Sequence, residues 1–334
     1  MAYRDLALEI VRATELGAIA SSFYVGRGDK EAGDKAAVDA IRFYMSSVVI
    51  DGTIIIGEGE KDEAPMLYNG EKVGSGKGPK VDVAVDPVEG TTVLAKGQAN
   101  AISTIAIADE GAMLRPGSSF YMDKLVVPRA AKNVIDIDAS PTTNCRRIAA
   151  ALDKDINALT VCVLDRPRNA ALIRELRQIG VRIILIFHGD VAGGVSAALS
   201  TTDIDVLYGI GGTPEAIITA AAVKSLDGGM QCRRAPQLES ERDRLKDEGT
   251  DIQEVLELSD LIRSGNTFFA ATGITSSSFL RGVQFKSHHI VTTHSIVMRS
   301  QSGTIRYVEG IHDLRKKLTG VSDLPFSLTP PSAP

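Results

Sequence analysis

The chain has 334 residues and a formal net charge of −5 at pH 7; 44% of its residues are hydrophobic and 24% are charged. This composition is typical of a globular protein. Because the length exceeds one ordinary core, we expect two domains or one large layered α/β unit. A negative net charge without a concentrated basic segment argues against a general nucleic-acid-binding protein.

The apolar segments and the cysteines indicate the compartment. No apolar run approaches the length that spans a membrane, and the N-terminal residues lead into a helical pattern instead of a signal peptide. The three cysteines, Cys145, Cys162 and Cys232, are widely spaced and fit neither a disulfide framework nor a zinc site. We therefore expect a cytoplasmic protein that binds neither membrane nor nucleic acid.

Two helices are predicted at the start of the chain. Apolar residues at helical spacing predict helices over residues 5–23 and 31–48. Asp34 lies seven residues before Ile41, so it shares the helix face that packs inward. An ionised carboxylate on that face is costly unless something pairs with it. A first-turn acid favoured by the helix dipole is the alternative.

Acidic residues then follow two predicted strands. A short strand over residues 53–56 leads into Glu58, which has glycine on both sides. A second strand over residues 81–85 is predicted to end within the motif that carries Asp86, Glu89 and Thr91. Two carboxylates on a tight turn can share a hard cation, and the adjacent hydroxyl can hold a water beside it. An ordinary surface turn remains the alternative.

The second half of the chain alternates strands with helices. This order predicts a parallel or mixed sheet with crossover helices, and a domain boundary near residue 154. The charged run over residues 239–258 is predicted to be a solvated helix, and the proline-rich tail over 323–334 to be disordered. The predicted strands cover residues 160–164, 182–187 and 205–208; the predicted helices cover 167–179, 190–199 and 214–226.

Polar clusters follow each of these three strands, at the edge where open α/β sheets bind ligands. Arg166 and Arg168 flank a proline at a helix start, which favours a phosphate receptor. Solvated arginines paired with Asp165 or Glu175 are the alternative. Residues 188–190 follow the second strand. Residues 209–215 follow the third, where backbone N–H groups could hold an anion and Glu215 could reach a metal.

These motifs closely resemble bacterial class II fructose-1,6-bisphosphatases, from near residue 4 to about residue 312. The central motif also resembles the wider inositol monophosphatase superfamily. The matching segments are Gly26-Arg27-Gly28-Asp29-Lys30, Ile56-Gly57-Glu58-Gly59-Glu60, residues 62–68, Asp86-Pro87-Val88-Glu89-Gly90-Thr91, Tyr121-Met122-Asp123-Lys124, Arg166-Pro167-Arg168 and residues 207–212.

The resemblance implies an α/β protein with the layered αβαβα sugar-phosphatase fold. It implies hydrolysis of the 1-phosphate of fructose 1,6-bisphosphate to fructose 6-phosphate and phosphate, in gluconeogenesis and carbohydrate metabolism, with Mn²⁺ or Mg²⁺ as cofactor. It also implies a cytoplasmic homo-oligomer, a dimer or a tetramer. We expect residues 1–154 to form the metal-binding and catalytic half and residues 155–322 the substrate-binding α/β half.

By motif position, the resemblance also assigns the site residues. The metal ligands would be Asp34, Glu58, Asp86, Glu89 and Glu215. The residues near the reacting phosphate and its water would be Lys30, Asp62 and Thr91. The substrate would be lined by Glu89, Gly90, Thr91, Tyr121, Arg166, Pro167, Arg168, His188, Gly189, Asp190 and Gly212.

One departure from the family pattern concerns the sugar. The family usually has Asp-Gly-Asp where this chain has His188-Gly189-Asp190. A carboxylate accepts hydrogen bonds from sugar hydroxyls, whereas histidine donates or accepts. A sedoheptulose-1,7-bisphosphatase, or an enzyme that acts on both sugars, is therefore kept as the alternative.

More distant alternatives are weaker. An inositol monophosphatase would not need the receptor formed by the two arginines. A nucleotide-dependent oxidoreductase could use the glycines of residues 209–212, but Gln231 and Cys232 stand where the ribose-binding acid belongs. A non-catalytic sugar-phosphate sensor would bind substrate and release no phosphate.

Overall fold

The computed structural model describes residue 3 and residues 5–59, 66–287 and 289–316. The catalytic candidate Asp62 and the tail over residues 323–334 lie outside the described residues. The chain divides into two units, one formed by Met1–Ala112 with Asn266–Pro334 and the other by Met113–Gly265. Residue 154, near which a boundary was expected, lies within the Met113–Gly265 unit, and the chain returns to the first unit after Gly265.

The first unit contains a mixed sheet of eight strands in the order β12-β13-β11-β4-β3-β1-β2, with β14 paired to β13. Strands β1 and β3 are parallel, whereas β3 and β4 are antiparallel. Its helices are α1 (Leu6–Ser22), α2 (Lys30–Met45) and α3 (Thr91–Ala95), and its strands are β1 (Asp51–Ile56), β2 (Lys72–Val73), β3 (Lys80–Glu89), β4 (Ile102–Asp109), β11 (Phe268–Gly273), β12 (Gln284–Phe285), β13 (Ile290–Arg299) and β14 (Thr304–Asp313).

The core of this unit lies between α1, α2 and the sheet. Helix α1 packs on α2 and on β11. Ile10, Ile41 and Phe268, from these three elements, belong to one buried apolar cluster together with Val83 and Ile105. The removal of this apolar surface from water is the main force that holds the two helices on the sheet.

The second unit contains a mixed sheet in the order β10-β9-β5-β8-β6-β7. Strand β6 runs parallel to β7 and β8, whereas β5 runs antiparallel to β8 and β9. The strands are β5 (Tyr121–Val127), β6 (Thr160–Leu164), β7 (Arg182–Ile186), β8 (Val206–Gly212), β9 (Gly229–Arg234) and β10 (Leu256–Glu257), and the helices are α4 (Pro141–Ala151), α5 (Ala170–Ile179), α6 (Asp190–Ala198), α7 (Thr213–Ser225), α8 (Glu239–Asp247) and α9 (Leu258–Leu261).

Two mixed sheets with packed helices confirm the predicted α/β class and agree with a layered α/β fold. The predicted crossover helices follow β6, β7 and β8 as expected. Among the described residues, the longest and most apolar helices fall short of what crossing a membrane requires.

Three segment ends differ most from the prediction. Strand β3 continues through Pro87 to Glu89, because the missing N–H of Pro87 falls in a register irregularity between Asp86 and Glu89 and interrupts no regular ladder. Strand β8 continues to Gly212, paired with β5. Helix α8 ends at Asp247, before Gly249 in the left-handed region (φ +69).

A buried polar cluster connects α1 with the last two strands. The Thr293 hydroxyl donates to Glu15 Oε1 at 3.1 Å and lies 2.8 Å from His312 Nε2. Burial raises the pKa of Glu15 to about 7, although the Thr293 hydrogen bond opposes the shift. Burial also lowers the pKa of His312. The folded state therefore favours a neutral Glu15 beside a neutral His312.

We predict that Glu15→Gln makes the protein more stable than wild type above pH 7. A carboxyl whose folded pKa exceeds its ordinary value of 4.5 stabilises fully below that value, and this stability is lost as the pH rises through about 7. The expected difference in the free energy of unfolding is at most about 3 kcal/mol at pH 8.5 and near zero at pH 4.5. Urea denaturation at both pH values measures it.

The exposed Glu110 provides the control. Glu110→Gln should leave the pH dependence of the unfolding free energy unchanged. A Glu15→Gln variant that is less stable than wild type at pH 8.5 would contradict the prediction.

Candidate active site

The acids of the first unit meet at the carboxyl ends of two neighbouring strands. Ile56 of β1 lies opposite Ala84 of β3 in a parallel pairing. Glu58 and Asp86 stand two residues beyond these partners, so they emerge at the same edge of the sheet.

A register irregularity brings a second carboxylate to Asp86. In a regular strand, residues three apart point to opposite faces. The pairing of β3 with β4 shifts between Asp86 and Glu89, and carboxylate oxygens of these two residues lie within 4.8 Å of one another, in an acidic group able to hold a metal ion. The irregularity in β3 therefore brings the carboxylates of Asp86 and Glu89 together.

Asp34 and Glu58 form a second acidic pair. Asp34 lies on α2, and its side chain is hydrogen-bonded to that of Glu58. Burial first, and then the neighbouring Asp34 carboxylate, raise the pKa of Glu58 to about 8; burial also raises the pKa of Asp34. Two carboxyls can share such a hydrogen bond only if one carries a proton. A divalent cation would replace that proton.

Two of the residues expected near the reacting phosphate, Lys30 and Thr91, lie at the starts of helices. Lys30 is the first residue of α2, and its ammonium lies 3.7 Å from the carboxylate of the exposed Glu31. Thr91 begins α3 directly after Gly90, whose φ of +92 lies in the left-handed region. A Cβ at Gly90 would also come within 2.8 Å of Val93. Glycine therefore lets the chain turn and presents Thr91 two residues after Glu89.

The arginines of the second unit follow β6 as predicted. The Arg166 Nη2 lies 3.0 and 2.8 Å from the two ring nitrogens of His188, which follows the neighbouring β7. Arg168 donates from Nε to the carbonyl of Ile210 at 3.0 Å, and its guanidinium lies 4.6 Å above the ring centre of Tyr121. These contacts orient both guanidinium groups without a salt bridge.

Ion pairs do not account for these two arginines. Within the described part of the chain, neither Arg166 nor Arg168 forms an ion pair with a carboxylate. The alternative partner Glu175 instead accepts from the backbone and the hydroxyl of Thr142. The geometry thus favours the receptor for an anion over solvated arginines.

A buried ion pair lies at the start of α6. Lys124 Nζ is 2.7 Å from Asp190 Oδ2, and their side chains are 0% and 3% exposed. Gly189 precedes Asp190 with φ +78. The chain leaves no room for a side chain beside this pair, because a Cβ at Gly211 would lie 1.8 Å from Asp190 Oδ2.

Glu215 carries an unpartnered carboxylate oxygen. It is the third residue of α7, and burial is the main cause that raises its pKa, while Lys124 opposes the shift. Its Oε2 is shielded from solvent and has no hydrogen-bond partner among the described residues. A Cβ at Gly212 would lie 1.9 Å from that oxygen. A buried acceptor without a donor is costly, and this fits a cation ligand.

Strand pairing explains how Tyr121 joins the residues of the second unit. Tyr121 begins β5 and pairs with Gly212, the last residue of the antiparallel β8. The start of β5 therefore lies at the same edge as the ends of β6, β7 and β8. Each unit thus brings its own candidates together. In the first unit they are Asp34, Glu58, Asp86, Glu89 and Thr91, with Lys30 one turn earlier on α2; in the second they are Tyr121, Arg166, Pro167, Arg168, His188, Gly189, Asp190, Gly212 and Glu215.

The burial of several charged residues was not predicted from the sequence, among them Lys124 and Glu241. Lys124 lies two residues from each of the buried Met122 and Val126. Residues two apart in a strand share one face, so the strand period already indicated that Lys124 points inward. Glu241 is completely buried in the segment predicted to be a solvated helix. No sequence signal distinguishes Glu241 from its exposed acidic neighbours on α8.

The fold and the site define a class. The site contains crowded carboxylates at strand ends, which fit divalent cations, and arginines without a salt bridge, which fit an anion. Together these residues indicate a metal-assisted phosphatase. Residues 4–312 match the family model described as bacterial fructose-1,6-bisphosphatase, glpX-encoded, and the chain belongs to that family.

Curated relatives agree with this family over most of the chain. The chain is 45% identical to fructose-1,6-bisphosphatase 1 class 2 of Escherichia coli (strain K12) over 327 residues, which are 94% of this chain and 97% of that protein. It is 45% identical over the same length to fructose-1,6-bisphosphatase class 2 of Shigella flexneri. The resemblance stated from the motifs is confirmed.

We predict that Mn²⁺ stabilises the protein through the acids of the first unit. Because the cation would relieve repulsion among these carboxylates, Mn²⁺ well above its dissociation constant should raise the melting temperature by roughly 5 °C over chelator-treated protein. Asp86→Asn should lose most of this increase. Glu31→Gln, which changes an exposed acid of α2, should keep it. Differential scanning calorimetry measures the shift, and an equal shift in Asp86→Asn would count against the ligand.

Proposed function

We propose that this chain hydrolyses the 1-phosphate of fructose 1,6-bisphosphate to fructose 6-phosphate and phosphate. One observation carries the proposal: a chain of the bacterial fructose-1,6-bisphosphatase family keeps its acids crowded at one sheet edge of the first unit. The family and the named relatives supply the substrate. They do not favour the sedoheptulose bisphosphate alternative.

The cofactor of this proposal is Mn²⁺ or Mg²⁺. The raised pKa of Glu58 and the orphaned Oε2 of Glu215 both fit a cation that carries more charge than a proton. The proposed ligands are Asp34, Glu58, Asp86, Glu89 and Glu215. Bound divalent ions would oppose the negative charge of the phosphate and make a water molecule more acidic.

The remaining residues would orient the substrate and move the proton. The Thr91 hydroxyl would hold the attacking water, and Asp62, outside the described residues, would accept its proton. The ammonium of Lys30 would face the reacting phosphate. Because water attacks phosphorus opposite the leaving sugar oxygen, this alignment matters more than any covalent contribution of the protein.

The phosphate that is not cleaved would bind Arg166 and Arg168. Their guanidinium groups contact His188 and Tyr121, and neither forms a salt bridge with a carboxylate in the described ranges. Binding energy at this distal phosphate would align the phosphate that reacts. The sugar would be lined by Glu89, Gly90, Thr91, Tyr121, Pro167, His188, Gly189, Asp190 and Gly212.

Two further properties belong to the proposal. A homo-oligomer, a dimer or a tetramer, is supported by the exposed apolar side chains of Ile305, Tyr307 and Ile311 on the ten-residue strand β14. A cytoplasmic location is supported by three buried free cysteines.

The first test is release of inorganic phosphate from fructose 1,6-bisphosphate. Wild type should release phosphate with Mn²⁺ or Mg²⁺ and should stop when the metal is chelated. Glu58→Ala and Asp86→Ala should lose at least about a thousandfold in kcat, since each removes charge from the cation site. Near-normal turnover in either folded variant would overturn the ligand assignment.

The second test separates binding from chemistry. Arg166→Ala should raise KM for fructose 1,6-bisphosphate by about 10- to 100-fold, because one charged contact to the distal phosphate is lost. Arg174 is an exposed arginine on α5, so Arg174→Ala provides the matched control and should keep the wild-type KM. Steady-state kinetics on both variants decide whether the effect is local.

A further inference from the structure

Glu241 lies on a helix that was expected to be solvated, and yet it is 0% exposed. It is the third residue of α8, which otherwise buries only Leu245. A carboxylate is rarely buried without strong hydrogen bonds, because removing its charge from water is costly. The partners of Glu241 therefore indicate why it is there.

Those partners are backbone N–H groups. Glu241 Oε1 accepts from the N–H of Phe120 at 2.7 Å and from that of Tyr121 at 3.3 Å. Its Oε2 accepts from the N–H of Gln237 at 2.9 Å. Three hydrogen bonds to one buried side chain therefore hold the start of β5 and the segment that precedes α8.

Sheet pairing holds the start of β5 on one side only, because Tyr121 pairs with Gly212 of β8 but lies before the regular pairing with β9. The regular pairing of β5 with β9 begins at Met122, opposite Arg234. One residue earlier, the Tyr121 carbonyl still accepts from the N–H of Ala235 at 2.9 Å. The Phe120 and Tyr121 N–H groups bond to Glu241, beyond the point where the pairing with β9 ends.

Two parts of the proposed site depend on this segment. The Tyr121 ring lies beneath the guanidinium of Arg168. The carbonyl of Phe120 accepts from the N–H of Thr213 at 3.0 Å, and Thr213 is the first residue of α7, two residues before Glu215. A shift of residues 120–121 would therefore displace both the arginine stack and the first turn that carries the acid.

We propose that Glu241 is a positioning residue for the phosphatase reaction, because it fixes the backbone of Phe120 and Tyr121 and thereby orients Arg168 and Glu215. This inference rests on the proposed function of those two residues. Glu241 would touch neither substrate nor metal. The role requires an acceptor that reaches Phe120 and Tyr121, and it does not require the negative charge.

The length of the side chain at position 241, more than its charge, should therefore decide whether KM changes. Glu241→Gln keeps one oxygen of the same reach for Phe120 and Tyr121 and loses only the bond to the Gln237 N–H, so KM for fructose 1,6-bisphosphate should stay within about threefold of wild type. Glu241→Asp keeps the charge but is one methylene shorter, and Glu241→Ala removes the acceptor. Both should raise KM by about tenfold or more, since small misplacements of binding groups are costly. Glu239→Ala, an exposed acid of the same helix, should match wild type.

A readout independent of turnover is the affinity for Mn²⁺, measured by electron paramagnetic resonance of the free ion. Glu241→Asp and Glu241→Ala should weaken Mn²⁺ binding, whereas Glu241→Gln and Glu239→Ala should not. All measurements are made well below the lowest melting temperature, so that partial unfolding does not contribute. If Glu241→Ala does not fold, the comparison of Glu241→Asp with Glu241→Gln decides.

The contrary outcomes are distinct. A melting temperature that falls in Glu241→Asp and Glu241→Ala with wild-type KM and Mn²⁺ affinity means a purely structural residue and overturns the inference. The same KM increase in Glu239→Ala would overturn it too. Arg168→Ala tests the underlying site: if its KM is unchanged, the proposed substrate site fails, whereas a raised KM in Arg168→Ala with unaffected Glu241→Asp refutes the role of Glu241 alone.

Discussion

Carboxylates held close together away from water repel one another, and the structure of the first unit depends on how this repulsion is relieved. Asp34 and Glu58 share a hydrogen bond that needs a proton, and burial, followed by the charge of Asp34, raises the pKa of Glu58 to about 8. Asp86 and Glu89 lie together only because β3 departs from regular pairing. A protein keeps such an arrangement when a cation offsets its cost.

The second unit contributes positively charged side chains to the proposed site. Its two receptor arginines, Arg166 and Arg168, contact the ring of His188, the ring of Tyr121 and the carbonyl of Ile210, and neither forms an ion pair with a carboxylate in the described part of the chain. Its buried Lys124 is committed to Asp190. Glycines at positions 211 and 212 leave space for the Asp190 and Glu215 carboxylates, which any Cβ would enter. The glycines and the charged side chains thus belong to the same proposed site.

The sequence was informative where chemistry and periodicity coincide. The strand over Thr160–Leu164 and the first two helices followed from apolar spacing, and the positions of Glu58, Arg166 and His188 followed from the rule that polar clusters collect beyond strand ends. Family motifs added the site assignments. Apolar spacing, strand ends and family motifs together predicted the α/β class and the acids that lie together in the first unit.

What the sequence could not show is set by interactions between distant segments. The return of the chain to the first unit after residue 265 has no local signal. Pro87 inside β3 and the glycines at the end of β8 are tolerated because of their particular neighbours, against their ordinary preferences. Glu241 resembles every other acid on α8, and only its three backbone partners distinguish it.

Anomalous X-ray diffraction from crystals grown with Mn²⁺ tests the central claim most directly, because it locates the cation without reference to activity. The account predicts manganese peaks in direct contact with the carboxylates of Glu58 and Asp86, with the hydrogen bond between Asp34 and Glu58 opened. Peaks confined to other parts of the molecule, with that hydrogen bond intact at saturating Mn²⁺, would contradict it.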